Sequence, residues 1–156
     1  MMKKAFMQRA IELSRTHMNA GAGGPFGAVI VKNGEIIGEG WNKVTSSNDP
    51  TAYAEVSAIR DACAHLSSFD LTGAEIYTSC EPCPMCLAAI YWARIEKIYY
   101  ANTRLDAADI DFDDDFIYQE MPKPNSERQV LMEQIGREEA ITVFDEWRAK
   151  SDRIQY

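Results

Sequence analysis

Residues 74–94 read Ala74-Glu75-Ile76-Tyr77-Thr78-Ser79-Cys80-Glu81-Pro82-Cys83-Pro84-Met85-Cys86-Leu87-Ala88-Ala89-Ile90-Tyr91-Trp92-Ala93-Arg94. The run from Ala74 to Thr78 has the composition of a strand, Pro82 and Pro84 mark a helix start, and Leu87, Ile90 and Trp92 carry that helix on to about residue 94. Lys97-Ile98-Tyr99-Tyr100-Ala101 then reads as a further strand.

Upstream, Phe6, Ile11, Leu13 and Met18 recur in an imperfect helical pattern over residues 2–20, which Gly21-Ala22-Gly23-Gly24-Pro25 ends. Gly27-Ala28-Val29-Ile30-Val31 and Ile36-Ile37-Gly38-Glu39-Gly40-Trp41 are strand-like and are joined by Lys32-Asn33-Gly34-Glu35, where Asn-Gly supplies the positive φ angles of a tight hairpin. Asp49 is placed as a helix cap and Pro50 at the first helical position, with helix-favouring sequence to about residue 66 and Tyr53 and Glu55 in the first turn. Helix, hairpin, helix, strand, helix, strand predicts an α/β chain, a three-layer α-β-α arrangement around a mixed sheet. Past residue 102 the pattern gives a short helix near 116–120, a Pro-containing connector over 121–125 and a last helix around 137–150. We expect residues 1–156 to form a single domain, with a tail that packs on its own domain or on a partner subunit.

The chain has 156 residues, 46% of them hydrophobic, and a formal net charge of −8. Such a charge disfavours a nucleic-acid partner and makes a small-molecule substrate the better expectation. No apolar run approaches the ~20 residues that span a membrane, and the start lacks a signal-peptide core, so a soluble cytoplasmic protein is expected. Three of the four cysteines are crowded at three-residue spacing, which suits metal coordination by successive helical turns better than a disulfide framework.

Cys83 and Cys86 at a helix start can face one point, where backbone N–H dipoles favour thiolates, and a metal ion is their natural third party. The competing reading makes them two small buried thiols. Cys80, ahead of the Pro82 turn, reads as a buried strand-end residue rather than a ligand. Glu55 is the candidate proton carrier, since a carboxylate beside a metal-activated water can take its proton and pass it on. Taken alone it would be an exposed helical glutamate.

These residues resemble the zinc-dependent cytidine and deoxycytidylate deaminase superfamily and, within it, the bacterial guanine deaminases. The resemblance runs nearly end to end, through Gly23-Gly24-Pro25-Phe26-Gly27-Ala28-Val29-Ile30-Val31, Ser47-Asn48-Asp49-Pro50-Thr51-Ala52, and Tyr77 to Cys86 with Ile90-Tyr91-Trp92-Ala93-Arg94. Phe112-Asp113-Asp114-Asp115-Phe116-Ile117-Tyr118 and the terminal Tyr156 look like the guanine deaminases in particular, whereas Asp49-Pro50-Thr51-Ala52 also occurs in tRNA adenosine deaminases. The resemblance implies a cytidine deaminase-like fold and one zinc per chain held in part by Cys83 and Cys86. It also implies a purine base as partner and hydrolysis of guanine to xanthine and ammonia, with Glu55 carrying the proton. Asp114 would accept from the ring N–H and the exocyclic amine and help move protons, Asn42 would pair with the ring edge and Phe26 would stack. The segment ending at Tyr156 would close over the pocket of the neighbouring subunit in a swapped homodimer. Bland roles stand beside these: a solvated acidic loop over residues 105–120, a core Phe26, an Asn42 that stabilises a strand end, and a frayed Tyr156.

One position departs from the pattern. The signature carries a histidine two residues before the catalytic glutamate as third zinc ligand, and this chain has Tyr53 there. A neutral imidazole binds zinc readily, whereas a phenol must first lose a proton with a reference pKa of ~10. Neither His17 nor His65 takes over from it by position. Three states remain open: Tyr53 as a phenolate ligand, Tyr53 swung aside with water completing a two-cysteine site, or no metal. Impaired guanine deamination, a catalytically silent nucleobase-binding homologue and a tRNA adenosine deaminase are the functions these states leave.

Overall fold

The computed structural model describes residues 2–156 and divides into two compact units, one ending at Asp114 and the other Asp115–Tyr156. In the first unit, helix α1 (Met2–Asn19) precedes strands β1 (Gly27–Lys32) and β2 (Glu35–Trp41), followed by the short helix α2 (Val44–Ser47) and by α3 (Ala54–Leu66). Strand β3 (Ala74–Cys80), helix α4 (Pro84–Trp92), strand β4 (Lys97–Asn102) and the short α5 (Arg104–Ala108) complete it. The sheet order is β2-β1-β3-β4, with β1 antiparallel to both neighbours and β3 parallel to β4, so the sheet is mixed as expected.

The hairpin forms where the sequence places it. Asn33 and Gly34 have φ of 52° and 77°, the double positive turn that matches strand twist. Alternation along β1 and β3 makes two cores. Ala28, Ile30 and Ile76 face the side covered by α3 and α4, with Ala54, Ala58, Ala62 and Ile90, while Val29, Val31 and Tyr77 face α1 through Leu13 and Phe6. That is the three-layer arrangement.

The start of α3 differs from the sequence expectation. Asp49 is not its cap: its Oδ1 accepts from the Thr51 backbone N–H at 2.9 Å and from the Thr51 hydroxyl at 2.7 Å, closing a turn of its own. The helix begins at Ala54, with Tyr53 in extended conformation at the N-cap position. Gly40 sets this start, because a Cβ on it would lie 2.2 Å from the Ala54 carbonyl oxygen and 2.4 Å from the Ala58 nitrogen. Only a glycine lets β2 approach the helix so closely. Gly40→Ala is therefore expected to cost about 2 kcal/mol or more through overpacking against backbone, read as a lower urea midpoint with an unchanged slope. A midpoint equal to the parent's would show that α3 is not held by this contact.

In the second unit, α6 (Asp115–Glu120), a 3₁₀ turn (Asn125–Glu127) and α7 (Arg137–Ala149) match the short helix, connector and last helix read from the sequence. None of its residues is buried, and α7 exposes Val143, Phe144 and Trp147. No described helix is long and apolar enough to cross a membrane.

Candidate active site

Two helix starts bring the chemistry together on one face of the sheet. Glu55 lies in the first turn of α3, and Cys83 stands at the N-cap position of α4 with Pro84 next and Cys86 further along the first turn. Glu55 is only 5% exposed, and its Oε1 accepts from the Thr78 hydroxyl of β3 at 2.7 Å. Burial raises the Glu55 pKa, against the Thr78 hydroxyl, its own backbone N–H and the Cys86 thiol, all of which favour the ionised form. A carboxyl whose pKa is raised by burial holds a proton more readily than an exposed one, as a group that both takes and gives up a proton must.

The two thiols are hydrogen-bonded to each other. The Cys83 pKa is lowered, first because the Cys86 thiol donates to its sulfur and also because the Cys86 and Met85 backbone N–H groups point at it, while that of Cys86 is raised by giving this hydrogen bond and by burial. Cys83 is thus the more acidic thiol of the pair, as a sulfur at a helix N-terminus should be. Cys80 takes no part: its thiol donates to the Thr103 carbonyl at 3.6 Å, and burial pushes its pKa up to about 11.

Tyr53 belongs to the same cluster. Its phenol pKa is raised, first by burial and then by the negative charges of Cys83, Cys86, Glu55 and Asp114. Asp114 is partly buried at the rim, its own pKa raised mainly by desolvation.

Asn42, at the end of β2, is 4% exposed. Its Oδ1 accepts from the Gly24 backbone N–H at 3.3 Å and the Val44 N–H at 3.1 Å. With the oxygen so engaged, the Nδ2 amine is what Asn42 has to offer a ligand. The glycine pair makes this possible, since a Cβ on Gly23 would stand 2.4 Å from Asn42 Oδ1. Phe26 is partly buried, its ring 5.0 Å from that of Phe112 at 86°, an edge contact that braces it. Tyr156 lies in the second unit and is 70% exposed.

A family model described as the cytidine and deoxycytidylate deaminase zinc-binding region matches residues 1–102. The chain belongs to this family. Like other members of it, the deaminase described here has its paired cysteines at a helix start facing a glutamate. It is 52% identical over 153 residues to guanine deaminase of Bacillus subtilis, covering 98% of both chains, and the X-ray structure of that protein superposes with a TM-score of 0.95. A guanine deaminase from Nitrosomonas europaea matches at 32% identity and a TM-score of 0.68, over 78% of this chain and 67% of that one. The tRNA-specific adenosine deaminase of Aquifex aeolicus is 48% identical over 77 residues, but this covers only 49% of the chain and 51% of the relative.

Sequence reading missed two features of the site. Thr78 contacts Glu55 directly, yet a threonine in a strand carries no signal of its own. The Gly24 and Val44 amides that orient Asn42 come from segments that only the fold brings together.

Proposed function

We propose that this protein is a cytoplasmic, zinc-dependent aminohydrolase that converts guanine to xanthine and ammonia. The observation that carries the reading is a buried Glu55 facing the Cys83 and Cys86 sulfurs, in a chain that matches a guanine deaminase nearly end to end.

Guanine would lie against the Phe26 ring, with Asn42 Nδ2 donating to an acceptor on the ring edge and Asp114 accepting from N1–H and the exocyclic amine. Asp114 would also help carry protons at that edge. The two thiols fit zinc well: they converge, and the Cys83 pKa is lowered by the Cys86 thiol and the backbone N–H groups, which favours the ligating thiolate. The third position fits poorly, because Tyr53 is a neutral phenol and the described residues hold no cluster of three or more His, Cys, Asp or Glu able to hold a metal. When bound to Cys83 and Cys86, zinc would supply an activated water at the amine-bearing carbon. Glu55 would take the first proton of the attacking water to the ring nitrogen as the C–O bond forms, and then the remaining hydroxyl proton to the amine as the C–N bond breaks, so that ammonia leaves and the carbonyl of xanthine remains.

A second reading rests on Tyr53. With the third donor missing, the chain keeps a purine pocket but turns over slowly or not at all, as a silent nucleobase-binding homologue. Deamination of adenosine in tRNA has less support, given the charge of −8 and a likeness to such enzymes over about half the chain.

We further propose a homodimer in which the C-terminal segment packs on the partner subunit and Tyr156 closes the partner's pocket. Support comes from the second unit, which has no buried residue and leaves the apolar side chains Val143, Phe144 and Trp147 of α7 exposed. Its occupant would be another copy of the chain, and residues 1–156 would then form one deaminase domain completed by exchange.

The substrate assignment is tested with zinc-supplied protein offered guanine, adenine, cytosine and a tRNA anticodon stem-loop, with ammonia measured for each. Ammonia from guanine alone, insensitive to salt, is the expected result. Release from the RNA, falling as salt rises, would replace the assignment.

A further inference from the structure

We propose that Thr78 is a positioning residue for the proton carrier: its hydroxyl fixes one oxygen of Glu55, so that the other faces the reacting groups and carries the proton. This rests on the role of Glu55 given under the proposed function.

Thr78 sits on β3 between Ile76 and Cys80, paired with Ala28 of β1 and Tyr100 of β4. Its neighbours along this sheet face, Ala28, Ile30 and Ile76, are wholly buried beneath the alanines of α3. Thr78 itself is only 1% exposed. At such a site valine, of nearly the same shape, would satisfy packing alone, and a hydroxyl costs about 1–3 kcal/mol to bury unless it is hydrogen-bonded. The hydroxyl is therefore retained for its partners.

It has two. Glu55 Oε1 lies 2.7 Å away and the Cys80 carbonyl oxygen 3.0 Å away, and the hydroxyl has one hydrogen to give. The shorter contact goes to the carboxyl, so Glu55 Oε1 is held from the sheet side, while the longer one ties the same hydroxyl to the end of its own strand. No proton passes through Thr78 itself. The same side chain ties the carboxyl to the end of β3, and hence to the chain that runs directly into Cys83. A shift of about 1 Å in a catalytic group costs on the order of 100-fold in rate.

The test compares Thr78→Val and Thr78→Ser with the parent, each also in the Tyr53→His background, with zinc supplied. We expect Thr78→Val to lower kcat for guanine by about 10- to 100-fold with KM and bound zinc within about two-fold of the parent, and Thr78→Ser to recover most of the loss. An unchanged kcat in Thr78→Val, a loss confined to KM, or an equal fall in Thr78→Ser would overturn the proposal. A crystal structure of Thr78→Val gives a second reading that needs no turnover. The Glu55 carboxyl should leave its present orientation or split between two, and a carboxyl that stays in place refutes the positioning role. If neither background hydrolyses guanine, the proposed function fails on its own, and the Glu55 orientation still decides the role of Thr78.

Discussion

Tyr53→His is expected to raise the zinc retained by the purified protein to about one per chain and to increase guanine turnover by at least about 10- to 100-fold. The size follows from metal sites in general, where disturbing even a residue behind a ligand costs 10- to 100-fold in affinity or activity, and a missing ligand should cost no less. The groups around position 53 are close at hand. Cys83 stands at a helix N-terminus with its pKa lowered, Cys86 is beside it, and Tyr53 stands at the N-cap position of α3 with its phenol in the field of both sulfurs. The two native histidines serve elsewhere or lie far off: His17 stacks on Trp41 with ring centroids 3.6 Å apart, and His65 is in the last turn of α3. Tyr53→Phe separates the open states. Zinc content equal to the parent's would mean that the phenol contributes nothing as a donor, whereas a further loss would mean that it ligates. If the parent already holds zinc as tightly as Tyr53→His against a competing chelator, the view of Tyr53 as the weak point is wrong.

Glu55→Gln should lower guanine turnover by about 10³-fold while purine binding, read as a shift in melting temperature, persists. The amide keeps the shape and can still accept from Thr78 through its oxygen, but it cannot take a proton from water. Its stability should change little or rise, because the parent buries an ionisable carboxyl at a cost that its hydrogen bonds only partly offset. Turnover within ten-fold of the parent would place the proton carrier elsewhere, with Asp114 the first alternative. Loss of purine binding together with turnover would instead make Glu55 a binding residue.

The parts of this fold that were legible in the sequence are those with a local cause. Asn33-Gly34 specifies its hairpin through backbone angles that few other pairs adopt, and Pro84 with the cysteine spacing announces the start of α4. The start of α3 was misplaced because Asp49-Pro50 has the chemistry of a helix cap and uses it in a turn. What sets the true start is the contact of Gly40 with Ala54, and such a long-range approach leaves no pattern within a ten-residue window. The candidate site divides in the same way. Glu55, Cys83 and Cys86 could be named from spacing and resemblance, and the structure places them together. Thr78 and the amides that aim Asn42 could not, because their roles exist only once β3, β2 and the glycine segment meet. Tyr156 is a different case: what the resemblance implies for it involves a second subunit, and within one chain it remains an exposed terminal residue.

The most direct test of zinc-dependent guanine hydrolysis is to load the unmodified chain with graded amounts of zinc and to measure bound metal and xanthine formed in the same samples. Xanthine formation that rises in proportion to bound zinc, vanishes with a chelator and returns on adding zinc back is the predicted result. A rate independent of bound zinc, or a full zinc complement that binds guanine and yields no xanthine, would contradict it.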